Sequence, residues 1–160
     1  MPIRNRMITD SSGQPSADGL RITGVFFPVE IQVPPAIAKV LTDEGKPVPQ
    51  PRAGVGLVDT GASNTCVHES VLKDLGINPV GVRPMGTAAG EVSQNVYPVR
   101  IAFPGENWTF DITGAAGVDL TGQQILTDPP QELIALLGRD LMASWLLIYN
   151  GPGGYWTISV

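Results

Sequence analysis

From about residue 20 onward the apolar positions of this chain come in short runs rich in aromatic and β-branched residues, with Gly, Pro, Asn or Asp between them. That texture predicts many short strands rather than a helical bundle. RITGVFFPVEIQVP (21–34) reads as extended; Pro28, Pro34 and Pro35 cannot donate to a ladder, so the segment is an edge or is broken into short strands. AIAKVL (36–41) fits one helical turn or a strand, and TDEGKPVPQPR (42–52) reads as a loop. SVLKDLG (70–76) has helical spacing: Val71, Leu72 and Leu75 share a face, and Gly76 stands where a helix ends. VSQNVYPVRIAF (92–103) and NWTFDI (107–112) read as strands, and GAAGVDLTGQQ (114–124) as a loop. ELIALLG (132–138) is compatible with strand or helix, while SWLLIYN and YWTISV joined by GPGG predict a C-terminal hairpin. Residues 1–19 are rich in Ser, Asp, Gly, Pro and Gln and read as a flexible arm. The pattern as a whole predicts one domain over 20–160, mostly β, a barrel or sandwich with one short helix.

Charge and cysteine content narrow the classes of function. The formal net charge is −5 and no basic stripe interrupts it, so a phosphate backbone is repelled and nucleic acid is not an expected partner. The single cysteine, Cys66, rules out an intrachain disulfide framework. Two early arginines are followed by no continuous apolar run, which argues against a secretory signal. LIALLG and SWLLIY are too short to span a bilayer. These features lead to the expectation of a soluble, cytoplasmic protein with no membrane partner.

The chemistry is concentrated in LVDTGAS (57–63). Two apolar residues deliver the carboxylate of Asp59 to the end of a strand. Gly61 allows a sharp turn and an N–H close to that carboxylate, and Thr60 sets a hydroxyl beside it. Asp-Thr-Gly alone arises by chance in roughly 3% of chains of this length, so its placement carries the weight. It follows an apolar strand pattern, precedes a helix, and is answered far downstream by Leu136, Leu137, Gly138, Arg139 and Asp140. Other groups fit plain structural roles better. Cys66 and His68 alternate on one strand, but a thiol nucleophile or zinc site needs further partners. GPGG lacks the Lys-Ser/Thr of a phosphate loop. Trp108, Trp145 and Trp156 read as core or interface.

LVDTGAS followed by IALLGRDLM resembles the retropepsin-like, or retroviral-type, aspartic peptidase family with its cellular and bacterial members, over about residues 20–160. The resemblance implies a closed acid-protease barrel that functions as a symmetric homodimer. It implies that Asp59 is the catalytic aspartate and that the Thr60 hydroxyl grips the opposite subunit. Gly61 would bind substrate through its backbone and support the carboxylate, with Ala62 beside it on the substrate side. Arg139 and Asp140 match a structural brace. In viral members the arginine pairs with an aspartate just after the motif; Ser63 and Asn64 stand there in this chain, so another partner must serve. A flap is implied at MGTAAGE (85–91), where Thr87, Ala88, Ala89 and Gly90 would contact peptide.

The mechanism of such enzymes uses two carboxylates sharing a proton, without metal or other cofactor. A single Asp-Thr-Gly is present, so a second copy must supply the other carboxylate. YWTISV is the candidate interface strand. The implied partners are a peptide or protein substrate and a second copy of the chain. The alternative from another class is a catalytically weak retropepsin-like module for peptide binding or dimerisation. An intact Asp59-Thr60-Gly61 distinguishes the two, since a binding module has no need of it.

Overall fold

The computed structural model describes residues 3–87 and 90–160. In chain order the elements begin with β1 (Ile3–Met7), α1 (Ala17–Thr23), β2 (Phe26–Gln32), α2 (Pro35–Asp43), β3 (Arg52–Val58) and β4 (Cys66–His68). Then come α3 (Glu69–Asp74), β5 (Gly81–Thr87), β6 (Gly90–Phe103), β7 (Trp108–Val118) and β8 (Gln124–Ile125). The chain finishes with β9 (Gln131–Leu137), α4 (Arg139–Met142), β10 (Leu146–Asn150) and β11 (Tyr155–Ser159).

Six strands close into a barrel in the order β2-β3-β9-β4-β7-β6, and β6 returns to β2 through Arg100 to Ala102 against Glu30 to Gln32. Closure removes the open edges that a sheet of this size would otherwise expose. β5 extends the sheet from β6 as a long hairpin, and β8 pairs with β9. The β3–β9 and β4–β7 pairs are parallel and the other ladders antiparallel. Strands with two buried sides fill the interior. In β2, Phe27, Val29 and Ile31 enter the main core while Phe26 packs into a second cluster with Val55, Leu120, Ile125 and Leu133.

A second sheet, β1-β11-β10, lies against the barrel. Its inward row carries Trp156 and Ile158, both fully buried. The Trp156 ring lies tilted against Phe27 at 4.9 Å between centroids, and Trp145 and Trp108 contact Phe27 and Phe103 in the same aromatic cluster. Removing a side chain of this kind costs about 3–5 kcal/mol.

The structure departs from the sequence reading in several places. Among the described residues there are four short helices rather than one. α1 occupies residues 17–23, of which 21–23 read as extended: the Ser16 hydroxyl accepts from the Gly19 N–H at 2.8 Å, and Leu20 is driven fully into the core. Residues 3–7 are not a free arm, because every residue of β1 pairs with β11, Ile3 opposite Ser159 and Met7 opposite Tyr155. AIAKVL is helical within α2, where Pro35 at the first turn supplies a φ suited to a helix start. β7 runs on through GAAGV, expected to be loop, because Ala116, Gly117 and Val118 pair with β4. Tyr97 covers Gly117 so closely that a Cβ there would lie 2.5 Å from its ring. ELIALLG is strand, and the C-terminal hairpin forms as β10 and β11. Pro28 sits within β2 below the stretch that pairs with β6, where a missing N–H costs nothing.

Candidate active site

β3 ends at Val58, and the next residue, Asp59, starts a tight loop at the barrel end. The loop is anchored across the parallel β3–β9 pair: the Asp59 N–H donates to Leu137 O at 3.0 Å. Its carboxylate turns back on its own backbone. Oδ1 accepts from the Gly61 N–H at 2.9 Å and from the Ala62 N–H at 3.3 Å. Gly61 has no left-handed φ. Its requirement is close approach, not backbone freedom, because a Cβ at position 61 would meet Asp59 Oδ1 at 3.1 Å.

Arg139 and Asp140, at the start of α4, bind this loop from the far side. The Arg139 guanidinium donates to Thr60 O at 2.7 Å, to Gly61 O at 3.3 Å and to Ser63 Oγ at 2.8 Å. The serine hydroxyl and two carbonyls thus take the place of the aspartate that viral members offer their arginine. The backbone runs in register too, with Arg139 N–H donating to Ala62 O at 2.9 Å and Asp140 N–H to Ser63 O at 3.2 Å. The Asp140 carboxylate accepts from the Thr65 N–H at 2.9 Å and from the Thr65 hydroxyl at 2.7 Å. Thr65 is fully buried, and its oxygen also accepts from the Gly138 N–H at 3.1 Å. Gly138 tolerates no side chain: a Cβ would lie 2.4 Å from Asn64 C and 2.6 Å from Thr65 N. Thr65 was not singled out in the sequence, where it reads as one more β-branched residue before a strand.

Asp59 opens onto a cleft of about 760 Å³. Gly61, Ala62, Ser63 and Asn64 form one wall, while Val118, Leu120, Leu136 and Cys66 form an apolar one. The described lining residues of the β5–β6 hairpin are Pro84, Met85 and Gly86, so this hairpin faces the acid loop across the cleft. Of the residues implied to contact peptide, Thr87 and Gly90 are the last pair of the ladder. Ala88 and Ala89 lie outside the described residues. Thr60 is solvent-exposed.

Among the described residues lining the cleft, Asp59 is the one carboxylate. Cys66 is buried and its Sγ donates to Asn64 O at 3.5 Å. Burial first, then the charges of Asp140 and Asp59, push its thiol up to about 11, which makes it a poor nucleophile. His68 has its Nδ1 occupied by the Leu120 N–H at 3.1 Å, an arrangement that fixes strand β4 to the segment after β7. Among the described residues no group of three His, Cys, Asp or Glu side chains is placed to hold a metal ion.

A closed β-barrel that carries an Asp-Thr-Gly strand end, braced by a Gly-Arg-Asp turn and facing a hairpin across a cleft, has the architecture of an acid-protease domain. The chain belongs to the aspartyl protease family, of the retropepsin-like type: that family's model matches residues 44–140, more than half the chain and both motifs. No curated protein matches it. Family membership makes it a protease-type hydrolase domain with peptide as the substrate class. Among the described residues no helix is long and apolar enough to cross a membrane.

Proposed function

We propose that the chain is an aspartic endopeptidase whose active unit is a symmetric homodimer, with two Asp59 carboxylates flanking one water. The observation that carries this is the lone Asp59 carboxylate, held by two N–H groups and presented into a peptide-sized cleft. One carboxylate withdraws a proton from the water as its oxygen attacks the peptide carbonyl carbon, and the other protonates the carbonyl oxygen. The tetrahedral intermediate collapses with proton transfer to the amide nitrogen and cleavage of the C–N bond. Two carboxylates a few ångströms apart cannot both ionise, so a shared proton is built into the pairing. Peptide lies extended between Gly61 and Ala62 on one side and the β5–β6 flap on the other. The Thr60 hydroxyl, exposed in the single chain, meets the opposite subunit beneath the site.

The outer face of the second sheet supports the dimer. Alternation places Ile3 and Met7 of β1 with Leu146 and Ile148 of β10 on that face, and they are between 45% and 64% exposed. Such an apolar patch is costly to leave in water. β11 itself has both edges occupied by β1 and β10. A second copy therefore meets this outer face and the two flanking edges, not an open edge of YWTISV.

The test is cleavage of a denatured protein from about pH 4 to 7 by wild type and Asp59→Asn, with sedimentation of both. A wild-type dimer that cleaves beside an intact dimeric variant that does not is the expected result. Equal cleavage by both removes Asp59 from the mechanism, and an inactive wild-type dimer favours the binding-module alternative.

A further inference from the structure

A second cavity of about 360 Å³ adjoins the cleft, and Asn64 lines both. Its walls hold one cationic side chain, Arg83 of β5, with Asp111, Thr113 and Gly114 of β7 and Asp140, Leu141 and Ser144 around α4. Arg83 reaches over Gly114, where a Cβ would lie 3.3 Å from its Nη2, so the glycine makes room for the guanidinium. The two carboxylates of the cavity are both engaged elsewhere. Both oxygens of Asp111 accept from Arg100, Nε and Nη2 each at 2.7 Å. Asp140 is taken up by Thr65 and by the Leu141 N–H at 2.8 Å. Arg83, half-buried, forms no ion pair or hydrogen bond with any described residue, and the same is true of the Asn64 side-chain amide and the Ser144 hydroxyl. A pocket whose two carboxylates are already engaged and whose guanidinium is unpaired among the described residues suits a ligand that brings acceptors, and a half-buried guanidinium favours a charged one.

We propose that this cavity is a specificity subsite for a carboxylate side chain, Asp or Glu, of the bound peptide, with Arg83 as the charged donor and Asn64 as the wall it shares with the cleft. The peptide origin of the ligand rests on the peptidase reading above. The geometry fits that origin, since a peptide passing Asp59 runs along Ser63 and Asn64 and a side chain beyond Asn64 enters the second cavity. The volume accommodates a carboxylate side chain with water to spare.

Asp59→Asn, which binds without turnover on that reading, allows binding to be measured apart from cleavage. The probes are labelled peptides capped at both ends, so that a side chain is their one carboxylate. A single Glu is walked along an otherwise neutral apolar sequence, each peptide with a Gln twin and a Lys twin. At one position Glu binds about fivefold tighter than Gln, the scale of one partly exposed charge-assisted hydrogen bond. Added salt reduces the ratio. Arg83→Gln brings the ratio to near one, and Asn64→Asp lowers it without touching Arg83, so the reading does not depend on a single variant folding. A preference for Lys, no preference anywhere, or a preference that survives Arg83→Gln overturns the proposal. Arg83-dependent Glu preference without any cleavage by the wild type leaves the subsite standing and removes the peptidase. Cleavage without Glu preference does the reverse, and a chain that neither binds nor cleaves these peptides removes both.

Discussion

Asp140 and Thr65 form the connection between the acid loop and α4, and a double-mutant cycle measures it. Asp140→Ala takes the acceptors from the Thr65 N–H and hydroxyl, both on a residue that is fully buried. Two fully buried donors left unpaired at about 1–3 kcal/mol each, with the part-buried Leu141 N–H losing the same acceptor, put the loss at about 3 kcal/mol or more. Thr65→Val keeps the shape but removes the hydroxyl, leaving the buried Gly138 N–H without its acceptor and Asp140 with one donor fewer. That change costs about 2 kcal/mol. The two losses overlap. Once Asp140 is gone the hydroxyl has no acceptor to lose, so Thr65→Val in that background costs only about 1 kcal/mol, and the coupling energy is about 1 kcal/mol. Urea unfolding of all four proteins at one protein concentration gives the cycle, with association affecting each alike. Additivity within about 0.3 kcal/mol would refute the reasoning, because the bond would then carry no energy of its own.

Four further outcomes are expected. Gly138→Ala drives a Cβ into backbone atoms of Asn64 and Thr65 at 2.4 and 2.6 Å, contacts that no side-chain rotation relieves. It lowers stability by about 3 kcal/mol and the melting temperature by about 6–12 °C in calorimetry. The Glu69 carboxyl is held down at about 2, first by Lys73 and then by Tyr97 and Asn95, which donate to it at 2.6, 2.7 and 3.1 Å. A depressed carboxyl stabilises above its unfolded value and loses that stability as pH falls toward its folded one. Glu69→Gln is therefore about 1 kcal/mol less stable near neutral pH, with a gap that narrows steadily below about pH 4.5; a gap constant with pH in urea titrations removes the ion pair as its cause. Ile148→Glu places a charge at the centre of the exposed apolar face. It shifts sedimentation to the monomer and removes cleavage together with the dimer, while a monomer that still cleaves contradicts the need for a second Asp59. Gly61→Ala crowds Asp59 Oδ1 at 3.1 Å and lowers kcat by at least about tenfold while unfolding as wild type does.

What was legible in the sequence was local. The C-terminal hairpin needs only its own aromatic runs and the GPGG turn, and α3 needs only Val71, Leu72 and Leu75 on one face. The acid loop was legible because a short motif of special chemistry lies between apolar runs, and its partner turn because Gly138, Arg139 and Asp140 follow an apolar strand in the same way. What escaped depends on partners distant in the chain. IRNRM has no apolar alternation beyond Ile3 and Met7, and becomes β1 because β11 lies alongside it. GAAGV has the composition of a loop, yet it pairs with strand β4, and the Tyr97 ring leaves no room for a side chain at Gly117. Ser16 capping α1 was a signal in plain view, outweighed by the β-branched Ile22 and Thr23 that follow. Arg83 carries no sequence signal, because what marks it is the lack of an ion-pair or hydrogen-bond partner among the described residues.

The position of Asp59 rests on its own motif, through the Gly61 and Ala62 N–H groups, and on the strand pairing that anchors its backbone to Leu137. Asp59 hangs from Leu137, Ala62 receives the Arg139 N–H, and Thr65 receives support from Asp140. All of these ties join β3 and the loop after it to the end of β9, which lies parallel to β3 with Val58 beside Leu137. A parallel pair cannot be joined by a tight turn, and here β4 to β8 lie between the two strands in the sequence. Contacts so distant in sequence raise the contact order of the fold, at a loop-closure cost that grows slowly with their separation. The tie from Leu137 to Asp59, and those from Arg139 and Asp140 to the loop after it, therefore exist only where β3 lies beside β9. The Gly-Arg-Asp turn joins the end of β9 to the acid loop in one set of hydrogen bonds, so a change that loosens the strand pair loosens the loop as well.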